Sequence, residues 1–69
     1  MNIKYDPLAD AAYIQLVEEI GPGGVAKTYL CDPAEVGGMI NLDFDSAGRL
    51  IGVEVLDASK LMPVELLSE

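Results

Sequence analysis

Twelve acids against four bases, with no histidine, give this 69-residue chain a formal charge of -8, which repels phosphate backbones and anionic bilayers within a Debye length and argues against direct nucleic-acid or membrane binding. A 51% hydrophobic composition excludes wholesale disorder, and the length allows one domain, residues 1–69, that buries only about 60% of the surface its unfolded form exposes. The single cysteine, Cys31, excludes an intrachain disulfide and with it the secreted disulfide-scaffold class, so a cytoplasmic location is expected.

The opening MNIKYDPLAD has early acids and no apolar signal core. Within it NIKY, 2–5, alternates polar and apolar side chains and predicts a strand. DPLAD is turn chemistry, because Pro7 fixes its own φ while Asp6 and Asp10 can bond nearby amides. AAYIQLV, 11–17, predicts a second strand with Ala12, Ile14 and Leu16 on one face and Tyr13 and Gln15 on the other. A helix over residues 7–19 competes, since Pro at the first helical position after an Asp cap is a sound helix start.

EEIGPGG breaks regular structure, and VAKTYLC, 25–31, then predicts a third strand whose Lys27 suits a sheet edge. DPAEVGG reads as an irregular link. MINLDF, 39–44, turns Ile40, Leu42 and Phe44 inward, and LIGVEVL, 50–56, does the same with Ile51, Val53 and Val55, so the two should form a hairpin. From Asp57 the pattern changes. Asp57 or Ser59 can cap a short helical segment, Pro63 kinks or restarts it, and Leu61, Met62, Val64, Leu66 and Leu67 can cover a sheet face. The fold class expected is therefore α+β: a single antiparallel sheet of four or five strands, with a short C-terminal helical segment packed on one face.

One stretch invites a chemical reading. DFDSAGRLIGVE, Asp43 to Glu54, places acids at the first, third and twelfth positions of a twelve-residue loop with Gly48 sixth, close to a calcium-binding pattern. Its flanks have the period of strands rather than helices, Ala47 stands where an oxygen ligand is needed, and an extended strand carries Glu54 away from the turn. Asp45 binding turn amides and Gly48 supplying a positive φ is the competing reading, with Asp43 and Glu54 facing water; weak divalent-ion association by Asp43 and Asp45, with Asp6 if the turns adjoin, stays open.

Enzyme chemistry has little support. No Gly-rich phosphate cradle and no nucleophile with an evident base is present, Cys31 has only one nearby lysine to activate it, and one thin sheet offers little concavity. No catalytic residue, cofactor or metal ligand is assigned. Tyr5, Tyr13, Tyr29 and Phe44 read as core or cross-strand packing, and Lys4, Lys27, Arg49 and Lys60 are scattered and make no basic patch.

Tyr5-Asp6-Pro7 at the first turn, Phe44-Asp45 with Gly48 before the last strand, and Leu56-Asp57-Ala58-Ser59 after it together resemble the small bacterial domain-of-unknown-function family 2283 over most of the chain. GPGG at 21–24 and the long CDPAEVGG link depart from its pattern. The resemblance brings no catalytic residues, and it implies an antitoxin-like role beside a small toxin-like protein. The expectation is thus a non-catalytic interaction protein, forming a homodimer and pairing with a small basic partner, with the third strand as the candidate for strand addition. The alternative is a small ligand- or divalent-metal-binding domain.

Overall fold

The structure, a computed structural model, describes residues 1–67. Its centre is one antiparallel sheet of five strands: β1 (Asn2–Asp6), β2 (Ala11–Gln15), β3 (Lys27–Leu30), β4 (Ile40–Phe44) and β5 (Leu50–Leu56). They lie in the order β1-β2-β5-β4-β3, so the last strand in sequence is central and β1 and β3 form the edges. Two hairpins, β1–β2 and β4–β5, meet along the β2–β5 ladder, where Ala12 lies opposite Val55 and Ile14 opposite Val53.

Residues 11–15 pair with a strand on each side, which removes the helical alternative for 7–19. Ladder partners on both edges outweigh the helix propensity of two alanines. The turn before them is local: the Asp6 carboxylate accepts from the Leu8 N–H at 3.0 Å, and Asp10 reverses the chain at φ 50°. Asp tolerates that left-handed region better than most residues.

The link after β3 is more ordered than its composition suggests. Asp32 accepts from the Ala34 N–H at 3.0 Å and Pro33 occupies the first turn, so DPAEV forms the short helix α1 (Pro33–Val36) rather than an irregular loop. Past β5 come α2 (Ala58–Leu61), an extended Met62, Pro63 and a single 3-10 turn, Val64–Leu66. Pro63 does separate two helical pieces. Neither Asp57 nor Ser59 caps α2 with its own side chain, which corrects that expectation.

Strand register divides the sheet into two unlike faces. One carries Tyr5–Ala12–Val55–Ile40 across four strands and Ile3–Ile14–Val53–Leu42–Tyr29 across all five. The other carries Lys4–Tyr13–Glu54–Asn41–Leu30 beside Asn2–Gln15–Gly52–Asp43–Thr28. Ala12, Val55, Ala58 and Leu67 form one buried cluster, against which Tyr5, Ile40, Val53, Leu61 and Met62 pack. Val64 and Leu66 do not share in it; they stay 73% and 45% exposed, so only part of the apolar set beyond Asp57 is withdrawn from water. The molecule is 17 Å through its thinnest dimension, room for one sheet and little more. No helix among the described residues is long and apolar enough to cross a membrane.

With so few buried side chains, the central strand should dominate stability. Val55→Ala is expected to lower the unfolding free energy by about 2 kcal/mol, and Val64→Ala to change it by less than about 0.5 kcal/mol. Urea denaturation monitored by circular dichroism compares the two.

Candidate functional site

The β1–β2 turn and the start of α2 meet at Asp10. Its Oδ1 accepts from the Tyr5 hydroxyl at 2.7 Å and from the Ser59 N–H at 3.0 Å, its Oδ2 accepts from the Ser59 hydroxyl at 2.7 Å, and its carbonyl accepts from the Ala58 N–H at 2.9 Å. Residues 49 apart in sequence are thereby joined, and α2 receives its cap from another part of the chain. Asp57 makes the approach possible by taking a left-handed conformation, φ 52°. The Tyr5 hydroxyl and then Ser59 hold the Asp10 carboxyl below its usual 3.8, while the bond to Asp10 raises the Tyr5 phenol.

A second polar junction lies on the opposite sheet face. Asp43 accepts from the Tyr13 hydroxyl at 2.8 Å and from Thr28 Oγ1 at 2.7 Å, bridging β2, β4 and β3. Tyr13 reaches Asp43 by lying across β5 over Gly52, where a β-carbon would overlap the ring and hydroxyl. Burial, and then hydrogen bonding to Asp43, push the Tyr13 phenol up to about 12. Beside it the Asn41 amide donates to Glu54 at 3.0 Å. Asp43 and Glu54 therefore do not simply face water, as expected of outward strand residues; both are half-buried and bonded across strands.

Within the calcium-like stretch, Asp45 Oδ1 accepts from the Ala47 and Arg49 amides, each at 2.9 Å, and Oδ2 pairs with Arg49 Nε at 3.1 Å. Those bonds hold the Asp45 carboxyl low, the Arg49 amide contributing most. Gly48 completes the turn at φ 83°. The local turn reading holds, and the other acids of the pattern are engaged by Tyr13, Thr28 and Asn41. Among the described residues no three His, Cys, Asp or Glu side chains are grouped to hold a metal ion.

The aromatic set divides. Tyr5 and Tyr13 serve as hydrogen-bond donors, Phe44 receives the Lys27 ammonium 5.7 Å from its ring centre, and Tyr29 is 54% exposed on the edge strand. Lys27 and Arg49 thus have partners rather than only solvating the surface. Cys31, at the end of β3, is half-buried, with its N–H donated to the Ile40 carbonyl. An open depression of about 270 Å³ is lined by Lys4, Tyr5, Asp6, Ala11, Ala12, Tyr13 and Glu54. It brings together one base, two acids and two phenols, with no nucleophile activated by a base.

The two junctions titrate at opposite ends of the pH scale. Asp10, lowered in the folded state, stabilises the fold above its unfolded value of 3.8 and ceases to do so as pH falls through the folded value. Tyr13, raised, stabilises below 10.0, and its contribution disappears as pH climbs toward about 12. Melting temperature against pH should therefore show a shallower acid limb in Asp10→Asn and a shallower alkaline limb in Tyr13→Phe. Gly52→Ala should cost about 1–3 kcal/mol by overpacking; the cost should vanish in a Tyr13→Ala background.

Comparison with curated proteins finds no match. Comparison with solved structures likewise finds none. One family model does match, over residues 2–59, a span that opens with β1, contains the whole sheet and closes on Ser59, whose amide and hydroxyl bind Asp10. Its description is protein of unknown function, and the chain belongs to that family, DUF2283.

Proposed function

We propose that this chain is a non-catalytic protein–protein interaction module, working in the cytoplasm as a homodimer and as the acidic, antitoxin-like member of a pair whose other member is a small basic protein. The observation that carries the reading is an excess of surface. The chain exposes 4780 Å², against about 4,200 Å² for a folded monomer of 7.3 kDa. Roughly 600 Å² is thus left over, close to the ~800 Å² that each partner contributes to a standard interface. The exposed surface includes large apolar side chains: Leu8, Tyr29, Leu30 and Val64 are each more than half exposed. In this reading the segment from Asp57 is a partial cover for one sheet face, and a partner completes it.

The hydroxyl–carboxylate pairs support a non-catalytic role. A carboxylate held low, as Asp10 is, makes a weak base, and phenols pushed up, as Tyr5 and Tyr13 are, make weak acids and nucleophiles. These contacts favour holding the fold over moving protons. A charge of -8 complements a basic partner and should steer its approach.

Two measurements test this. Sedimentation equilibrium at tens of micromolar should give a dimer, and a strictly monomeric species would contradict the homodimer. Affinity capture from the native host, at low and then high salt, should retain a small basic protein whose association slows as salt rises. Retention of only acidic or neutral proteins, or salt-independent association, would contradict the paired role.

A further inference from the structure

We infer that two copies of this chain join edge to edge through β3, antiparallel about a twofold axis at Tyr29, so that their sheets fuse into one of ten strands; this rests on the homodimer reading above and names its seam. The chemistry begins with the backbone. Lys27 pairs with Phe44, Tyr29 with Leu42, and the Cys31 N–H donates to the Ile40 carbonyl in continuation of that register. In an antiparallel ladder alternate residues turn their N–H and C=O to the same side. Lys27, Tyr29 and Cys31 therefore face β4, and Thr28 and Leu30 turn theirs to the open edge.

That edge is self-complementary. With Tyr29 on the axis, Thr28 of one copy lies opposite Leu30 of the other, and the two exchange an N–H···O=C pair in each direction, giving four backbone hydrogen bonds in all. Tyr29 then meets its own counterpart at the closely spaced, non-hydrogen-bonded position, where aromatic cross-strand pairs are favourable. Both large apolar side chains of the strand are exposed, Tyr29 at 54% and Leu30 at 62%, and lie along this seam. The apolar row Ile3–Ile14–Val53–Leu42–Tyr29 would run on into its symmetry mate without a break.

Charge decides for a second copy here. In this register Lys27 faces Cys31 of the other copy, and β3 itself, Lys27–Leu30, carries no acid, so no two acids are opposed along the strand although each chain carries -8. The other edge lacks this match: β1 exposes Asn2, Lys4 and Asp6.

Because Tyr29 is exposed, it can be replaced without touching the core. Tyr29→Lys and Tyr29→Asp each set like charges against each other across the axis and should weaken dimerisation at least tenfold, whereas mixing the two variants in equal amounts should restore a 1:1 dimer. Thr28→Pro, which removes an outward donor, should also give monomers while retaining a sheet spectrum. Sedimentation equilibrium reads all four samples against the unsubstituted chain. A dimer unchanged by any of these substitutions would overturn the β3 seam and leave the homodimer standing; a monomeric unsubstituted chain would remove both. Failure of the mixture to recover would overturn the twofold at Tyr29. Loss of a captured basic partner in Thr28→Pro, with dimerisation intact, would assign the edge to that partner instead.

Discussion

One carboxylate ties the last quarter of this chain to the first. A four-residue helix cannot sustain itself in water, because nucleation fixes several residues for each hydrogen bond gained, and α2 has no cap of its own. Asp10 supplies that cap from the β1–β2 turn, accepting from both the amide and the hydroxyl of Ser59 while Tyr5 completes the carboxylate's hydrogen bonding. The apolar contacts depend on the same junction. Ala58, fully buried, lies directly before Ser59, and with Leu67 it shares the cluster of Ala12 and Val55. In a domain this thin, losing that attachment would expose the centre of the sheet.

Strand identity was legible in the sequence because each strand states its own period. Ile40, Leu42 and Phe44 alternate with Asn41 and Asp43 whatever surrounds them, and the Asp45 turn could be read because its partners lie within four residues. The contacts that organise the fold were not legible. Asp10 and Ser59 look like ordinary polar turn residues until topology brings them together, and Tyr13 and Asp43 are 30 positions apart. Gly52 reads as a weak point in a strand; only the Tyr13 ring crossing above it explains the absence of a side chain. Strand order is equally non-local, since nothing in LIGVEVL marks it as central rather than as an edge. The Asp-Pro start of α1 was present as a signal and was outweighed by its neighbouring glycines.

The two faces of the sheet lead to the functional proposal by different routes. One ties up its acids internally, Asp43 through Tyr13 and Thr28 and Glu54 through Asn41, so a pattern that resembles a metal site in sequence becomes a cross-strand scaffold in space. The other is apolar, and its longest row ends at an exposed tyrosine on an edge strand. The proposed dimer and basic partner are the two kinds of contact that this combination of charge and exposed apolar surface would meet.

The central claim, that the Asp10 carboxylate links the first turn to α2, is tested most directly by a thermal double-mutant cycle between Asp10→Ala and Ser59→Ala. Each substitution should lower the melting temperature, Asp10→Ala more, because Ser59→Ala keeps the backbone bond. The double variant should melt close to Asp10→Ala alone, as expected of residues acting through one contact. Simple addition of the two losses, the behaviour of distant independent sites, would contradict the account.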